Sequence, residues 1–581
     1  RGLGDVYKRQ TKKWVFFLFS NKKINTSKVE EVIKTRGHKS IVKHEVANCT
    51  LISSNKIIIE NDNYLTQGEI SALGGVTSDF AIGIGTYFYK GTYGKEALKK
   101  VYEDLDKVLI DNPVYGHWAF CIHKNGATYV FNDMSGFLRL YYYENEDQIV
   151  VSSSHLGVIS TVKNPKFDKA RLTGFVAGTY GREEGFVDGV FLVDPHKYIK
   201  IEDGQKPSWV NKEIPKIKRI ETLQEAITYV KGLFNQQMDE IVPAIGDKKI
   251  YVDATGGLDS RLITCNVKTS GLNFDYINYP IFGPDAEIAN VLSKSLKKKL
   301  HVQTHKPCGE DYSIHYGEYD FGNNFFRQYP NPRWTLENDF EFSGARGECI
   351  DLPDIYSDED LAYMKNPRSN ALLPHLTTHP IMREEAKRDY LKYMEHYVFE
   401  RCGISADALM TECEQVEFTQ FLAGQNGDAN YNSGAQAHCY FYSMYNEWHF
   451  NHFIKDIAFD AKSCRKLTIA LIKQIDQELA SLPFVSRRRT KRNSVNEVSE
   501  LPMKYWGYGG IKKLMPKSLL SFLYGKLGRK FNEQQFNSID IELYADLFDV
   551  KELSSHKNLY SDILNRLYSV DKIRKIFNIE F

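Results

Sequence analysis

The sequence predicts two domains: an α+β domain with much antiparallel sheet, followed by an α/β domain with a parallel sheet. Three observations lead to this prediction. The chain has 581 residues, which exceeds the length that one hydrophobic core usually serves. Strand-like runs dominate before residue 165, whereas strands alternate with helices after residue 222. The first pattern is typical of layered α+β folds, and the second indicates a parallel sheet covered by helices.

The first domain is placed at residues 11–207, where β-branched and aromatic residues form short runs between turn residues. These runs predict strands at 14–19, 49–59, 117–122, 128–132, 138–143 and 149–153. Apolar residues at helical spacing predict a helix over 93–109. Its apolar stripe consists of Ala97, Leu98, Val101, Leu105 and Val108. Residues 1–10 are interpreted as a non-native leader and are left out of the fold prediction.

A polar, lysine-containing segment with Pro215 is predicted to be the linker, at residues 208–221. The second domain, 222–492, opens with a strong helical stripe over 222–242. Strands are then predicted at 248–254 and 273–279, and a helix that begins at Asp285 runs towards His301. Such alternation predicts a doubly wound parallel sheet. Residues 493–581 predict a helical extension that covers the second domain or contacts a partner.

The glycine turn after the strand at 248–254 is the main candidate for a ligand site. Its sequence is Thr255-Gly-Gly-Leu-Asp-Ser-Arg261. A strand, a glycine turn and a helix start offer an anion backbone N–H groups and the positive end of a helix dipole. The two glycines permit positive φ and close backbone approach. Thr255 and Ser260 add hydroxyl groups, and Asp259 fits beside a phosphate if Mg²⁺ lies between them. The alternative is an ordinary turn whose Asp or Ser caps the helix.

Composition excludes several classes of function. Lysine and arginine number 75 and aspartate and glutamate number 74, which argues against a dedicated nucleic-acid-binding protein. The nine cysteines include no CxxC pair, which favours reduced thiols and a cytoplasmic location over disulfides or a zinc site. The longest apolar run near the start, at 14–19, is too short to span a membrane.

Two segments of the first domain carry a family resemblance. Residues 116–120 and 132–142 resemble the segment G-x-x-A/F … R-D-x-x-G-x-x-P-L-Y-Y of the glutaminase domain in class B asparagine synthetases. Asn132 and Arg139 replace the Arg and Pro of that family. Residues 174–204 resemble the hairpin that closes the domain. This resemblance implies an Ntn-hydrolase-like layered αββα fold. The matching residues are Asp133, Gly136, Leu140, Tyr141 and Tyr142.

One departure from that family bears on its glutaminase chemistry. The family's nucleophile is an N-terminal cysteine whose own α-amino group acts as the base. In this sequence no cysteine precedes Cys49, which lies within a strand-like run. We therefore expect a glutaminase-like scaffold that has lost glutamine hydrolysis. The alternative is cleavage that exposes a cysteine, although no processing site is evident near Cys49.

The resemblance continues in the second domain. Thr255–Arg261 resembles the S-G-G-x-D-S pyrophosphate loop of the asparagine synthetase and related ATP pyrophosphatase families, with Thr in place of the first Ser. Residues 285–301 resemble the helix that follows in that family, and 342–348 resemble its S-G-x-G-x-x-E element. The match is weak beyond residue 350. The resemblance implies an ATP pyrophosphatase domain, of the adenine nucleotide alpha hydrolase-like fold, with extra helices.

This family resemblance implies an ATP-dependent carbon–nitrogen ligase of the asparagine synthase type. Such an enzyme adenylates a carboxylate, releases pyrophosphate, and then transfers ammonia or an amine with release of AMP. The implied cofactors are ATP and Mg²⁺. Asp259 and Glu348 are the candidate catalytic residues and metal ligands. The candidate nucleotide-binding residues are Thr255, Gly256, Gly257, Leu258, Ser260, Arg261, Ser343 and Gly344.

Two other functions stay open at this stage. One is a non-catalytic scaffold or binding protein derived from this family, and the other is a pyrophosphate-loop enzyme that acts on another substrate, such as tRNA. The expected carboxylate belongs to a small molecule, a peptide or a glycan, and a homodimer is one of the oligomeric states left open. The basic run at 487–492 is interpreted as a solvated charge run or linker, and the alternative is the basic element that this family uses to stabilise the charged intermediate. The histidine pairs at 375 and 379 and at 449 and 452 are not interpreted as metal sites.

Overall fold

A computed structural model describes most of both domains. The described residues are 16–35, 41–44, 49–54, 64–178, 185–216, 218–246, 248–279, 283–303, 339–347, 350, 367–368, 379–402, 410–411, 439–453, 456–462, 465–485, 497–498, 516–519, 521 and 532–581. No helix among them is long and apolar enough to cross a membrane. The statements below concern these residues.

The first domain contains two six-stranded sheets whose described strand pairs are all antiparallel. The first sheet contains, in spatial order, β10 (Val190–Leu192), β8 (Tyr141–Glu144), β9 (Ile149–Ser152), β1 (Phe16–Ser20), β3 (Thr50–Ser54) and β2 (Val42–His44). The second contains β12 (Ser208–Asn211), β11 (Lys197–Glu202), β7 (Ala127–Asn132), β6 (Tyr115–Lys124), β4 (Phe80–Tyr89) and β5 (Thr92–Tyr93).

The two sheets stack face to face, and helices cover their outer faces. Along β1, Phe17 packs against residues of the second sheet, while Phe16 faces the helix α1 (Ser27–Thr35). This alternation follows from the period of two along a strand. The outer face of the second sheet packs against α2 (Gln67–Ala72), α3 (Gly94–Glu103) and α4 (Leu105–Asp111). The helices α5 (His155–Ile159) and α6 (Lys169–Ala177) lie beside β8 and β10 of the first sheet. The predicted layered αββα architecture is therefore present.

The strand β4, which lies between β6 and β5, was not predicted from the sequence. Its ten residues contain Gly83 and Gly85, and almost all of them are buried. A strand that is buried on both faces lacks the alternation that identifies a half-exposed strand. The helix predicted over 93–109 is two helices, α3 and α4, which meet at Asp104.

The second domain is built on a five-stranded sheet whose neighbouring strands are all parallel. Its spatial order is β15 (Leu300–Val302), β14 (Asp275–Asn278), β13 (Ile250–Asp253), β16 (Phe340–Ser343) and β19 (Tyr440–Ser443). From β13, the next strands along the chain, β14 and β15, are added on one side, and the later strands, β16 and β19, are added on the other side. The topological switch point, where such sheets bind ligands, therefore lies between β13 and β16.

One face of this sheet packs against a group of helices. They are α7 (Leu223–Ile245), α8 (Asp259–Thr269), α9 (Gly283–Ser295) and α13 (Lys466–Ile475). A capping box starts α7, because Thr222 accepts the N–H of Glu225 and the Glu225 side chain accepts the N–H of Thr222. The predicted parallel sheet with helices is confirmed by these elements.

The remaining described elements include a third group of helices at the C-terminal side of the chain. They are α10 (Glu384–Cys402), α11 (Trp448–Phe453), α12 (Phe459–Lys462), α14 (Gln477–Ser481), α15 (Glu533–Ser538), α16 (Val550–Ser555) and α17 (Ser561–Phe577). The other described elements are two short strand pairs, β17 (Pro367–Arg368) with β18 (Met410–Thr411) and β20 (Phe484–Val485) with β21 (Glu497–Val498). There are also 3₁₀ turns at Met444–Asn446 and Ile541–Tyr544.

The described part of the helical extension packs on the first domain, which corrects the expectation that it covers the second domain. Tyr390 of α10 and Leu564 of α17 share one buried cluster with Phe175 of α6. The Arg566 side chain donates Nε–H to the carbonyl of Val176 at 2.8 Å. Apolar spacing alone identifies such helices as amphipathic but does not tell which core they join, so this placement was not predictable.

Candidate functional site

The glycine loop lies at the carboxyl edge of the parallel sheet, between the end of β13 and the start of α8. Thr255 organises the loop from within, because its Oγ1 lies 2.8 Å from Ser260 Oγ and accepts the Gly257 N–H at 3.2 Å. The two hydroxyl groups are therefore adjacent at the helix start, and the loop lies beside the topological switch point.

The segment after β16 packs directly on this helix start. A Cβ on Gly344 would lie 2.5 Å from the Ser260 nitrogen, and one on Gly347 would lie 2.3 Å from Asp259 Cβ. Both distances are shorter than real Cβ contacts, so only glycine permits this approach. In contrast, neither Gly256 nor Gly257 has a positive φ. The prediction that Gly256 and Gly257 adopt positive φ is therefore wrong. The close backbone approach is made instead by Gly344 and Gly347, which follow β16.

Three polar side chains end β13, β16 and β19 in one row. The register places Val252 opposite Phe342, so Asp253 and Ser343 are the next pair, and Ser343 lies opposite Ser443. The Ser343 hydroxyl donates to Asp253 Oδ2 at 2.5 Å, and the Ser443 hydroxyl donates to the Ala345 carbonyl at 2.7 Å. Asp253 and Ser443 were missed from the sequence, although a polar residue at the end of a buried strand is a detectable signal.

A carboxylate accepts a hydrogen bond from one backbone amide of the loop. The Gly256 N–H donates to Asp285 Oδ1 at 2.9 Å, and Asp285 lies in the first turn of α9. An N–H group of a glycine loop at a helix start is the kind of donor that binds phosphate oxygens. Asp285 therefore holds an oxygen anion at a position suited to a ligand oxygen. The sequence placed Asp285 on a helix but gave it no role.

Arg261 takes a position that differs from its predicted role. Its side chain is fully buried, and its guanidinium donates to the carbonyl oxygens of Leu479, Leu482 and Pro483. Burial lowers the pKa of Arg261 to about 10. The prediction that Arg261 binds the nucleotide does not fit these contacts, because its donors bind carbonyls of α14 and of the residues that follow it. Periodicity cannot separate an outward from an inward arginine at a helix start.

Several predicted residues lie outside the described residues. Glu348, the second candidate metal ligand, is one of them, and His375 and the basic run at 487–492 are others. His379 and His449 are described, and burial lowers the pKa of each to about 4. Among the residues that the structure describes, no group of three or more His, Cys, Asp or Glu side chains forms a metal-binding cluster.

The motif around Asp133 in the first domain is a buried turn. Asp133 accepts the N–H groups of Phe137 at 3.0 Å and Leu138 at 2.9 Å, which closes the turn between β7 and β8. Burial raises the pKa of Asp133 to about 6. Lys212 lies nearby and donates to the carbonyls of Asn132 and Pro195, and burial lowers its pKa to about 7. These contacts give the motif a structural role in orienting β8.

Comparisons with known proteins were made for the whole chain. No family model matches it, and no curated protein matches it. Similar solved structures include the glutamine phosphoribosylpyrophosphate amidotransferase from B. subtilis, complexed with ADP and GMP. The sequence identity is 12%, the match covers 58% of this chain and 70% of that chain, and the TM-score is 0.21. Another, described as the allosteric regulatory enzyme of purine biosynthesis, has 11% identity, covers 64% of this chain and 73% of that chain, and has a TM-score of 0.21. The fold assignment rests instead on the sheets and helices described above.

Proposed function

We propose that the protein is an ATP-dependent, AMP-forming amide ligase that adenylates a carboxylate and transfers ammonia or an amine to it. The observation that carries this proposal is the position of the Thr255–Arg261 loop at the switch point of a parallel sheet, where α/β proteins bind nucleotides. The loop combines backbone N–H groups, two adjacent hydroxyl groups and Asp259. This donor set suits pyrophosphate together with a divalent cation.

In this proposal, Gly256, Gly257 and Ser260 bind the β- and γ-phosphates of ATP, and Asp259 holds Mg²⁺. Bound Mg²⁺ supplies positive charge to the pyrophosphate leaving group. The protein's own contribution is to keep the leaving group in line with the attacking carboxylate oxygen, since positioning and electrostatics account for most phosphoryl and nucleotidyl transfer catalysis. Displacement of AMP by ammonia or an amine then forms the amide. The carboxylate belongs to a small molecule, a peptide or a glycan.

One contact favours the second candidate function, a scaffold that binds no nucleotide. Because Asp285 already accepts the Gly256 N–H, this amide is satisfied without a ligand. A pyrophosphate group would have to displace this carboxylate, whose negative charge opposes an approaching anion. Binding of ATP is therefore the measurement that separates the ligase from the scaffold.

Isothermal titration of Mg·ATP into the wild-type protein and the Asp259→Ala variant tests the proposal. The matched control is Asp562→Ala, because Asp562 is also in the first turn of a helix, α17, but belongs to the C-terminal extension. Both changes remove the same favourable charge from a helix start. We expect Asp259→Ala to weaken Mg·ATP binding by about tenfold or more, equivalent to about 1.4 kcal/mol, and Asp562→Ala to leave it unchanged.

Pyrophosphate exchange into ATP, measured with a panel of carboxylates, then tests the chemistry. A carboxylate that supports exchange in the wild-type and Asp562→Ala proteins, but not in Asp259→Ala, identifies the substrate class. If wild-type protein does not bind Mg·ATP, the ligase proposal fails and the scaffold is retained. Binding without exchange for any carboxylate would leave a nucleotide-binding protein of another function.

A further inference from the structure

A five-residue segment, Ser443–Glu447, connects the candidate site to the first domain. It contains the last residue of β19, a 3₁₀ turn and Glu447. Every second residue makes a polar contact with a different part of the molecule. The Ser443 hydroxyl donates to the Ala345 carbonyl beside the loop, and the Ser443 N–H donates to His117 Nε2 of β6 at 3.4 Å.

Tyr445 contacts the candidate site itself. Its hydroxyl donates to the backbone carbonyl of Asp259 at 3.0 Å, in the first turn of α8. The Tyr445 side chain is fully buried, and its ring packs against Phe234 of α7 and Phe450 of α11. This packing fixes the ring, so the hydroxyl marks a defined position for the Asp259 backbone.

Glu447 contacts the first domain. Its Oε1 accepts the Gly116 N–H of β6 at 2.7 Å and the Tyr442 hydroxyl at 2.7 Å. Only 2% of Glu447 is exposed. Gly116 has φ of 115°, and a Cβ there would lie 2.1 Å from the Thr86 carbonyl. The donor is therefore the backbone of a strand in the middle of the second sheet, which gives Glu447 a rigid partner.

We propose that Tyr445 and Glu447 are positioning residues that fix the first turn of α8, and with it Asp259, relative to the first domain. The contact chain runs from Gly116 through Glu447 and the 3₁₀ turn to Tyr445 and the Asp259 carbonyl. Loosening either end then allows the first turn of α8 to open locally. The consequence for ATP affinity rests on the function proposed above, whereas the local opening does not.

The groups that face Glu447 come from three elements. Tyr115 lies on β6, Tyr442 lies on β19, and Asp133 lies on the turn after β7. Burial raises the pKa of Glu447 to about 8, with Asp133 adding to the rise. Its carboxyl is therefore protonated at neutral pH and loses its proton as pH rises past 8. The Gly116 N–H and the Tyr442 hydroxyl both donate to this carboxyl, so its role as acceptor does not depend on its proton.

Hydrogen–deuterium exchange of the amides at 259–263 tests the proposal directly, because local opening controls exchange. Tyr445→Phe removes only the hydroxyl, and we expect exchange there to rise by about 2- to 10-fold, as for loss of one net hydrogen bond. The matched control is Tyr544→Phe, which removes a buried hydroxyl that contacts Asp571 in the C-terminal extension. Exchange at 259–263 should not change in that control.

Glu447 provides a test that a general structural role would not satisfy. Glu447→Gln keeps an acceptor oxygen and resembles the protonated carboxyl in shape, so exchange at 259–263 should match the wild-type protein at pH 7. Glu447→Leu, which removes the acceptor for the Gly116 N–H, should show raised exchange at the same pH.

Two results would overturn the proposal: unchanged exchange at 259–263 in Tyr445→Phe, or equal effects of Gln and Leu at position 447. If Glu447→Leu does not fold, exchange in Tyr445→Phe and Glu447→Gln still tests the proposed positioning role. Mg·ATP titration of Tyr445→Phe provides the link to function, with a two- to tenfold loss of affinity expected. A wild-type protein that binds no ATP would reject the proposed ligase, while the exchange result would stand on its own.

Discussion

The hydroxyl of Ser343 donates to Asp253 Oδ2 at 2.5 Å and so joins the ends of the two strands that flank the topological switch point. Both side chains are buried. The loops that follow these strands form the candidate site, since Gly344 and Gly347 pack against the helix start reached from Asp253. This bond therefore joins the two halves of the site just beyond the backbone pairing of their strands.

Ser343→Ala is expected to destabilise the second domain by about 1–3 kcal/mol, because the buried Asp253 oxygen loses its donor. Urea denaturation measures the change. Ser270→Ala is the matched control, since Ser270 donates to the Val267 carbonyl at the exposed end of α8. We expect a change within about 0.5 kcal/mol for the control. Equal destabilisation by the two variants would show that the Asp253 contact has no special importance.

Replacing Asp285 by Asn should strengthen the binding of metal-free pyrophosphate by about 3- to 10-fold. The variant keeps the size of the side chain but removes a negative charge that lies on the Gly256 N–H. Isothermal titration with pyrophosphate and EDTA measures the affinity. Asp562→Asn, on the C-terminal extension, controls for the change in net charge. An unchanged affinity for Asp285→Asn would show that pyrophosphate does not approach this amide.

Arg261→Lys is expected to cost about 2–4 kcal/mol of stability and to change ATP affinity less than about threefold. A lysine cannot reproduce the fork of donors that binds three carbonyl oxygens, and a buried carbonyl without a donor is costly. Urea denaturation and Mg·ATP titration measure the two quantities. A loss of ATP affinity of tenfold or more in the folded variant would restore the nucleotide-binding role predicted for Arg261.

The sequence predicted the parallel sheet, and the glycine loop at its edge, more completely than it predicted the contacts between parts of the chain. The Thr255–Arg261 motif was detectable because strand, turn and helix start are local features with distinct residue types. The pairing of Ser343 with Asp253 depends on strand order, which joins residues that are distant along the chain. The same holds for Glu447 and Gly116, and for Arg566 and Val176. No single-sequence periodicity carries such information.

Burial also separated residues that looked alike in the sequence. Asp259 and Arg261 are two positions apart at one helix start, yet Asp259 is partly exposed and Arg261 is fully buried. Charged residues at a helix start are usually exposed, so the inward position of Arg261 was the less expected one. Its three carbonyl partners lie more than two hundred residues further along the chain.

The stability of the protein is expected to depend on pH through Glu447, and Glu447→Gln isolates that dependence. The pKa of Glu447 is about 8 in the folded protein, above its ordinary value of 4.5. The folded state therefore holds a proton that the unfolded state has released between these pH values. As pH rises from 4.5 to 8, the free energy of unfolding of the wild-type protein falls relative to Glu447→Gln, by up to about 1.4 kcal/mol per pH unit.

Urea denaturation of both proteins at intervals from pH 5.5 to 9 measures this difference. Asp133, Lys212 and His117 are present in both proteins, so their direct contributions cancel in the comparison to first order. We expect the difference between the proteins to change steadily up to about pH 8 and to level off above it. A difference that is constant over the whole range would mean that Glu447 holds the same charge in both states, and the contact with Gly116 would then be made by a carboxylate.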